Sequence, residues 1–320
     1  MRPVWVCDVP PLRVISRAGP QRGKLRVRRA GGAIGVLWLG ALCVASGVHA
    51  DEEALDIRVE ASVTVDNNVA RSRGPGNRLS DVIYNVNAGK SYLIPLDDNS
   101  RISLLGTVGA EVFNRYSGLS RAFLGIQGEY QYRSSGAFDA PTFGIFGRAA
   151  ADFYESNLRD GYRYSVGVRV LQPLTDRVDL FGALAHNVRD GKSKVFDNRD
   201  YSARLNLDYS VTTKGALYLT GEYRRGHAVS SARPELAFVD IAEAIVRDDA
   251  FTDTERTAYR LKAKTGIATL GYSFGLQEDQ SLDFSLRWVR STAVSRPTFP
   301  GAETIRYYDT QATVAYLIRF

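Results

Sequence analysis

Tyr308-Asp309-Thr310-Gln311-Ala312-Thr313-Val314-Ala315-Tyr316-Leu317-Ile318-Arg319-Phe320 ends the chain. Successive side chains of a β-strand point to opposite faces, so residues at period two share one side of a sheet. Here Ala312, Val314, Tyr316, Ile318 and Phe320 fall on one side, while Asp309, Gln311, Thr313 and Arg319 fall on the other. The first face suits lipid and the second suits water.

The same alternation recurs in short segments broken by Gly, Pro, Asn, Asp or Ser. No stretch after residue 50 is apolar over the roughly 20 residues that a membrane-spanning helix needs. Repeated short alternating segments are the sequence signature of a membrane β-barrel. Twelve strands are expected, near 55–66, 80–94, 101–116, 121–133, 142–155, 162–172, 178–189, 199–211, 216–225, 257–274, 282–292 and 305–320. In the tenth, the apolar phase shifts around Gly266, from Tyr259, Leu261 and Ala263 to Leu270, Tyr272 and Phe274. That shift predicts a bulge there.

Connection lengths support this count. With a periplasmic N-terminus, the segments 97–100, 134–141, 173–177, 212–215 and 275–281 become periplasmic turns. Segments 67–79, 156–161, 190–198, 226–256 and 293–304 become external loops, mostly longer, as such barrels require. Only Ser117-Gly118-Leu119-Ser120 is a short external connection. An even strand number returns Phe320 to the periplasmic side.

Aromatic rings favour the two membrane interfaces, where the ring is half buried and its polar group stays wet. On this register Tyr116, Phe153, Tyr162, Tyr164, Tyr201, Tyr223, Tyr259 and Tyr308 form an outer girdle. Tyr92, Tyr130, Tyr132, Phe143, Tyr209, Tyr272, Phe274, Phe284, Tyr316 and Phe320 form an inner one. A soluble β-sandwich also alternates, but it gives no reason to set tyrosines repeatedly at strand ends.

The first 50 residues read as a secretory signal peptide. Lys24, Arg26, Arg28 and Arg29 precede an uncharged run from Gly31 to Ser46, and Val48-His49-Ala50 offers a cleavage site after Ala50. Its eight basic residues and one acidic residue, taken from totals of 41 and 35, leave 33 basic against 34 acidic in residues 51–320. The basic character of the whole chain therefore belongs to the targeting segment, and a nucleic-acid partner loses its support. Both cysteines leave with that segment. No thiol nucleophile, disulfide framework or cysteine metal site remains, and no cofactor is expected.

A first strand leading into Val65-Asp66-Asn67-Asn68-Val69, followed by a strand opening with Ser80-Asp81-Val82-Ile83-Tyr84, resembles the outer-membrane β-barrel porins of Gram-negative bacteria. The closing strand is similar to theirs as well. The resemblance implies an all-β fold, an antiparallel transmembrane β-barrel of about 12 strands with periplasmic N- and C-termini in the cell outer membrane. It further implies that Tyr316, Ile318 and Phe320 form the terminal signal read by the barrel-insertion machinery. Outer-membrane lipid is the implied surround, and small hydrophilic solutes, including anions and saccharides, are the implied cargo. A barrel assisting surface-polysaccharide export, with periplasmic partners, is the alternative.

Inward positions collect many charges. Candidate pore-lining residues are Arg58, Arg101, Glu111, Arg115, Arg148, Asp152, Arg163, Arg169, Arg204, Asp208, Lys262, Lys264 and Arg287. Arginines on an aqueous path favour anions through charge and bidentate hydrogen bonding, whereas pairing across neighbouring strands would satisfy them within the wall.

The segment 226–256 is the candidate gate. Pro234 can open a short helix with Leu236, Val239, Ala242, Ile245 and Val246 on its apolar side. Asp248, Asp249, Asp253 and Glu255 lie nearby without the spacing of a calcium loop. An outer-membrane lipid hydrolase is the less favoured alternative: His186 lies at an outward position, but no serine is singled out beside it. A channel, not an enzyme, is the expectation.

Overall fold

The computed structural model describes residues 57–251 and 255–320. The signal-peptide reading of residues 1–50 lies outside them. Thirteen strands form among the described residues: β1 (Ile57–Asp66), β2 (Asp81–Pro95), β3 (Ser100–Phe113), β4 (Arg121–Arg133), β5 (Thr142–Tyr154), β6 (Gly161–Pro173), β7 (Val178–Gly191), β8 (Asn198–Ser210), β9 (Gly215–Ala232), β10 (Ala244–Arg247), β11 (Thr257–Gly275), β12 (Gln280–Ala293) and β13 (Arg306–Arg319). No described helix is long and apolar enough to cross a membrane.

Twelve of these strands close a ring of antiparallel neighbours. Each pairs with the next in sequence, β9 pairs with β11, and β13 returns to β1. Every interior backbone group then has a partner and no sheet edge is left, which a strand structure needs in hydrocarbon. At the seam the Phe320 amide donates to the Ile57 carbonyl at 2.8 Å, and the hydroxyls of Thr64 and Thr313 lie 2.9 Å apart inside. The terminal aromatic residue thus closes the ring with its own backbone.

Alternation places the faces as expected. On β1, Glu60, Ser62, Thr64 and Asp66 are buried inside while Ala61, Val63 and Val65 are exposed. Around the ring Val86, Val108, Ile126, Ile145, Val166 and Leu184 continue the exposed apolar band. Tyr92, Tyr130, Tyr132, Phe143, Tyr209 and Phe284 edge it near the short turns, and Phe153, Tyr162, Tyr164, Tyr201, Tyr223 and Tyr308 edge it near the long loops. Such a belt is built for a lipid surround.

Three expectations are corrected. First, β11 has no bulge, because its pairing with β9 runs without a break from Thr257 opposite Ala232 to Phe274 opposite Gly215. Tyr259, Leu261 and Ala263 are inward and buried, so the apparent phase shift is a change in what covers the inside of the strand. Second, Tyr116 and Tyr259 leave the girdle. Tyr116 packs on Phe251 with ring centroids 5.3 Å apart, and Tyr259 stacks on Phe238 at 4.9 Å.

Third, the helix after Pro234 is only α1 (Leu236–Ile241), and it turns its other side inward. Ala237 and Phe238 are buried, whereas Leu236 is 76% and Val239 48% exposed. Ala244 to Arg247 form β10, which pairs with β11 beside Thr257–Arg260. β9 also runs seven residues past the expected end at Arg225, to Ala232. The added length carries the β9–β11 ribbon beyond the belt.

Candidate functional site

The candidate site has two parts, the inner wall and the mouth at the long-loop end. At the long-loop end of the wall, β3, β4, β5 and β6 place four charges side by side because Glu111 pairs opposite Arg121 and Phe123 opposite Asp152 in register. Arg121 reaches Glu111 at 2.9 Å and Asp152 at 3.0 Å, and Arg163 grips Asp152 at 2.6 and 2.7 Å. All four are buried. Two carboxylates and two guanidiniums cancel, so the cluster is tolerable in low dielectric only while complete.

Of the other candidates, Arg58 pairs with Glu60 at 3.4 Å, and Arg101 donates to Gln131 at 2.6 Å. Asp208 accepts from Asn206 at 2.7 Å. Arg169 pairs with Glu129, and Arg148 lies over the Phe146 ring, 4.7 Å from its centroid. Arg204 and Arg287 are inward on β8 and β12, where Arg287 sits opposite Gln311. A cavity of about 1190 Å³ is bounded by the middle of β5 to β9 and β11 to β13; its lining is mostly apolar, Ala183, Ile267 and Val289 among it, with Arg169, Arg204, Glu222 and Asp309 as its inward charged residues.

Three candidates are not on this wall. Lys262 and Lys264 share the outer face of β11 with Leu270, Tyr272 and Phe274, since the strand has no bulge to turn them inward. Lys262 pairs with Glu243 at 2.9 Å. Arg115 lies beyond the end of β3, exposed in the connection to β4, where its backbone amide donates to Asp81.

The mouth at the long-loop end is covered by loops from across the chain. Val69, Ala70, Leu119, Ala250 and Phe251 pack into one buried apolar cluster over Ile83; Phe238, Tyr259, Leu261, Ala293 and Ile305 pack into a second. Between them the buried Asp248 receives Arg159 at 2.6 Å and the Ser231 hydroxyl, and Arg256 donates to the carbonyls of Asn77 and Ser231 at 2.9 Å each. Arg189 reaches the Arg159 carbonyl from the wall below. Asp248 is therefore committed to arginine; Asp249 takes the Ser156 hydroxyl, and Asp253 lies outside the described residues.

Arg159, Asp248 and Arg256 went unread in the sequence as parts of one site. They sit in loops without period, and their pairings span 89 and 179 residues. Only the density of charge in otherwise apolar loops hinted at them.

His186 faces outward on β7, its ring 4.6 Å from that of Tyr201 directly opposite. Its Nδ1 has no hydrogen-bond partner, and Ser202, inward on β8, bonds to Asn187 instead.

An apolar belt outside, a polar charged wall inside and a closed ring define a transmembrane β-barrel of the outer-membrane type. No family model matches the chain, and no curated protein matches it in sequence. Among solved structures it is similar to an outer membrane channel from Pseudomonas putida F1, with 13% identity, coverage of 86% of this chain and 100% of that one, and a TM-score of 0.48. It is also similar to the KdgM porin in complex with disordered oligogalacturonate (11% identity, 82% and 99% coverage, TM-score 0.42). A third is the translocator domain of the autotransporter NalP from Neisseria meningitidis (12% identity, 84% and 90% coverage, TM-score 0.38). At these scores the likeness is one of barrel architecture.

Proposed function

We propose that this chain is a passive-diffusion channel of the cell outer membrane for small hydrophilic solutes, with anions and saccharides as its preferred class. One observation carries the reading: twelve strands close into a ring that turns polar and charged residues such as Glu60, Asp66, Asn85, Glu129 and Asp309 inward while turning apolar residues outward. A ring of twelve strands is wider than the eight-stranded barrels whose interior side chains fill completely. Residues 1–50 are removed on export, the termini and short turns face the periplasm, and the long loops face outward. Inward side chains at Arg148, Arg204 and Arg287 set the anion preference, since a guanidinium meets carboxylates and phosphates with paired donors. The interlocked loops over the long-loop mouth are the gate, with Asp248 as its central latch.

The channel reading is favoured over a lipid hydrolase because His186 rests against the ring of Tyr201 and no serine hydroxyl lies on its free nitrogen. The test is single-channel recording of the full protein in planar bilayers. Discrete conductance steps with anion preference, weakened in Arg204→Gln and Arg287→Gln, support the channel. A folded, inserted barrel that stays silent both as the natural chain and as Asp248→Asn overturns it and favours a polysaccharide-export role with periplasmic partners.

A further inference from the structure

Basic residues on the outside of the barrel gather on one sector. On the outer faces of β1 to β7, Lys90 is the sole basic residue of the wall, whereas the outer faces of β8, β9, β11, β12 and β13 carry Arg199, Arg225, Lys264, Arg290 and Arg306 near the long-loop end. All five are exposed. Four lie one outward step beyond a belt aromatic: Arg199 past Tyr201, Arg225 past Tyr223, Arg290 past Trp288 and Arg306 past Tyr308. That is the depth where hydrocarbon gives way to lipid headgroups.

The register turns these residues into a staircase. Arg225 is directly opposite Lys264; Arg290 is opposite Gly266, one diagonal from Lys264; Arg306 is opposite Thr292, one diagonal from Arg290. Side chains so placed are about 5–8 Å apart, and like charges there repel. Outward positions of β8, β9 and β11 to β13 hold no Asp or Glu to relieve them, and the nearby Glu243 is taken by Lys262, His227 and Arg260. Directly beneath, the wall flattens. Gly266 and Gly221 are outward, a Cβ added at either meets nothing within 4 Å, and Ala268 lies between Gly221 and Trp288.

We infer that this sector binds a phosphate-bearing lipid of the leaflet at the long-loop end, its phosphates held by Arg225, Lys264, Arg290 and Arg306 and an acyl chain lying in the trough at Gly266 and Gly221. Guanidinium and ammonium groups at headgroup depth complement phosphate. Belt aromatics on either side hold the chain's upper end, and the missing side chains let it lie against the backbone. The site is on the lipid side of the wall, independent of what crosses the lumen.

The test is native mass spectrometry of the full protein in neutral detergent, offered phosphorylated lipid A or the same lipid stripped of both phosphates. The natural chain retains the phosphorylated form at least about tenfold better, since each Lys or Arg at a charged membrane surface contributes roughly fivefold. Arg225→Gln with Lys264→Gln removes most of that preference, Lys90→Gln leaves it, and replacing Arg225, Arg290 and Arg306 by Lys preserves most of it. Equal retention of the two lipids by the natural chain overturns the inference without any variant. Displacement of bound lipid by inorganic phosphate at equal concentration overturns the lipid assignment, because the cations then hold a phosphate without its chains.

Discussion

The two ends of the barrel are built differently. Where the short turns lie, each connection closes on itself. The Leu96 amide donates to the Ser100 carbonyl at 3.0 Å, Leu174 to Val178 at 2.8 Å, Thr212 to Gly215 at 3.1 Å and Leu276 to Gln280 at 2.9 Å. Asp97 fastens its own turn by accepting from the Ser100 amide at 2.7 Å. At the other end the partners are remote: Asn68 donates to the Tyr308 carbonyl, the Ser231 amide to Ala70, Arg159 to Asp248 and Arg256 to Asn77. One end ends strands; the other joins distant strands into a single cover. A cover made of long-range contacts can open without unravelling the wall, which is what a gate needs.

This contrast can be broken deliberately, most severely at Asp248. Asp248→Ala leaves Arg159 buried without its carboxylate, a loss of about 3–5 kcal/mol by the usual cost of breaking a buried pair. Limited proteolysis of the long loops should become rapid while strand dichroism is unchanged, and equal cleavage of natural and variant chains would refute the latch.

Phe238→Ala removes the ring stacked on Tyr259 and should cost about 3 kcal/mol of loop stability. Hydrogen exchange at 236–247 reads it, with the amides of β1 to β4 unmoved. On the belt, Ile126→Arg places a charge on the lipid face and should cost roughly 2–4 kcal/mol in urea unfolding from lipid vesicles. An equal cost for Lys264→Leu, at the rim, would contradict the placement of the belt.

The smallest effect is expected at Glu243, beside β10. Burial alone would raise its carboxyl, but Lys262, His227 and Arg260 together hold it below the usual carboxylate range. A depressed value in the folded chain means that the carboxylate's contribution is full above the ordinary pKa of about 4.3 and is lost as pH falls through the lower folded value. The Glu243 contribution to exchange protection of 244–247 should therefore be full down to about pH 5 and fall only below the ordinary range. A fall near pH 6 would assign the change to His227 instead.

The wall was legible because its rule is local. Val59, Ala61, Val63 and Val65 declare a face from four residues, and eleven neighbours repeat the statement, so strand count, order and inward side could be read in advance. Failures of the reading came where the surroundings of a face changed along one strand. Tyr259, Leu261 and Ala263 have the apolar character of lipid-facing residues, yet all three are inward and buried, and Phe238 and Ile305 pack with Tyr259 and Leu261. Lys262 and Lys264 were assigned to the lumen by the same false phase. In α1, Phe238 was passed over for Leu236 because helical spacing names a stripe without saying which side of it has a partner.

By itself the sequence determined a ring of twelve alternating strands with an apolar outside, a charged inside and a terminal aromatic strand at the seam. Period two needs only neighbouring residues, and closure follows because no strand edge can remain in lipid. Tertiary structure alone decided that the long-loop mouth is covered, that Arg121 and Arg163 share Asp152, that Arg159 meets Asp248, and that the outer cations gather on one sector. Each depends on side chains dozens or hundreds of residues apart, and no local period carries information about which loop reaches which.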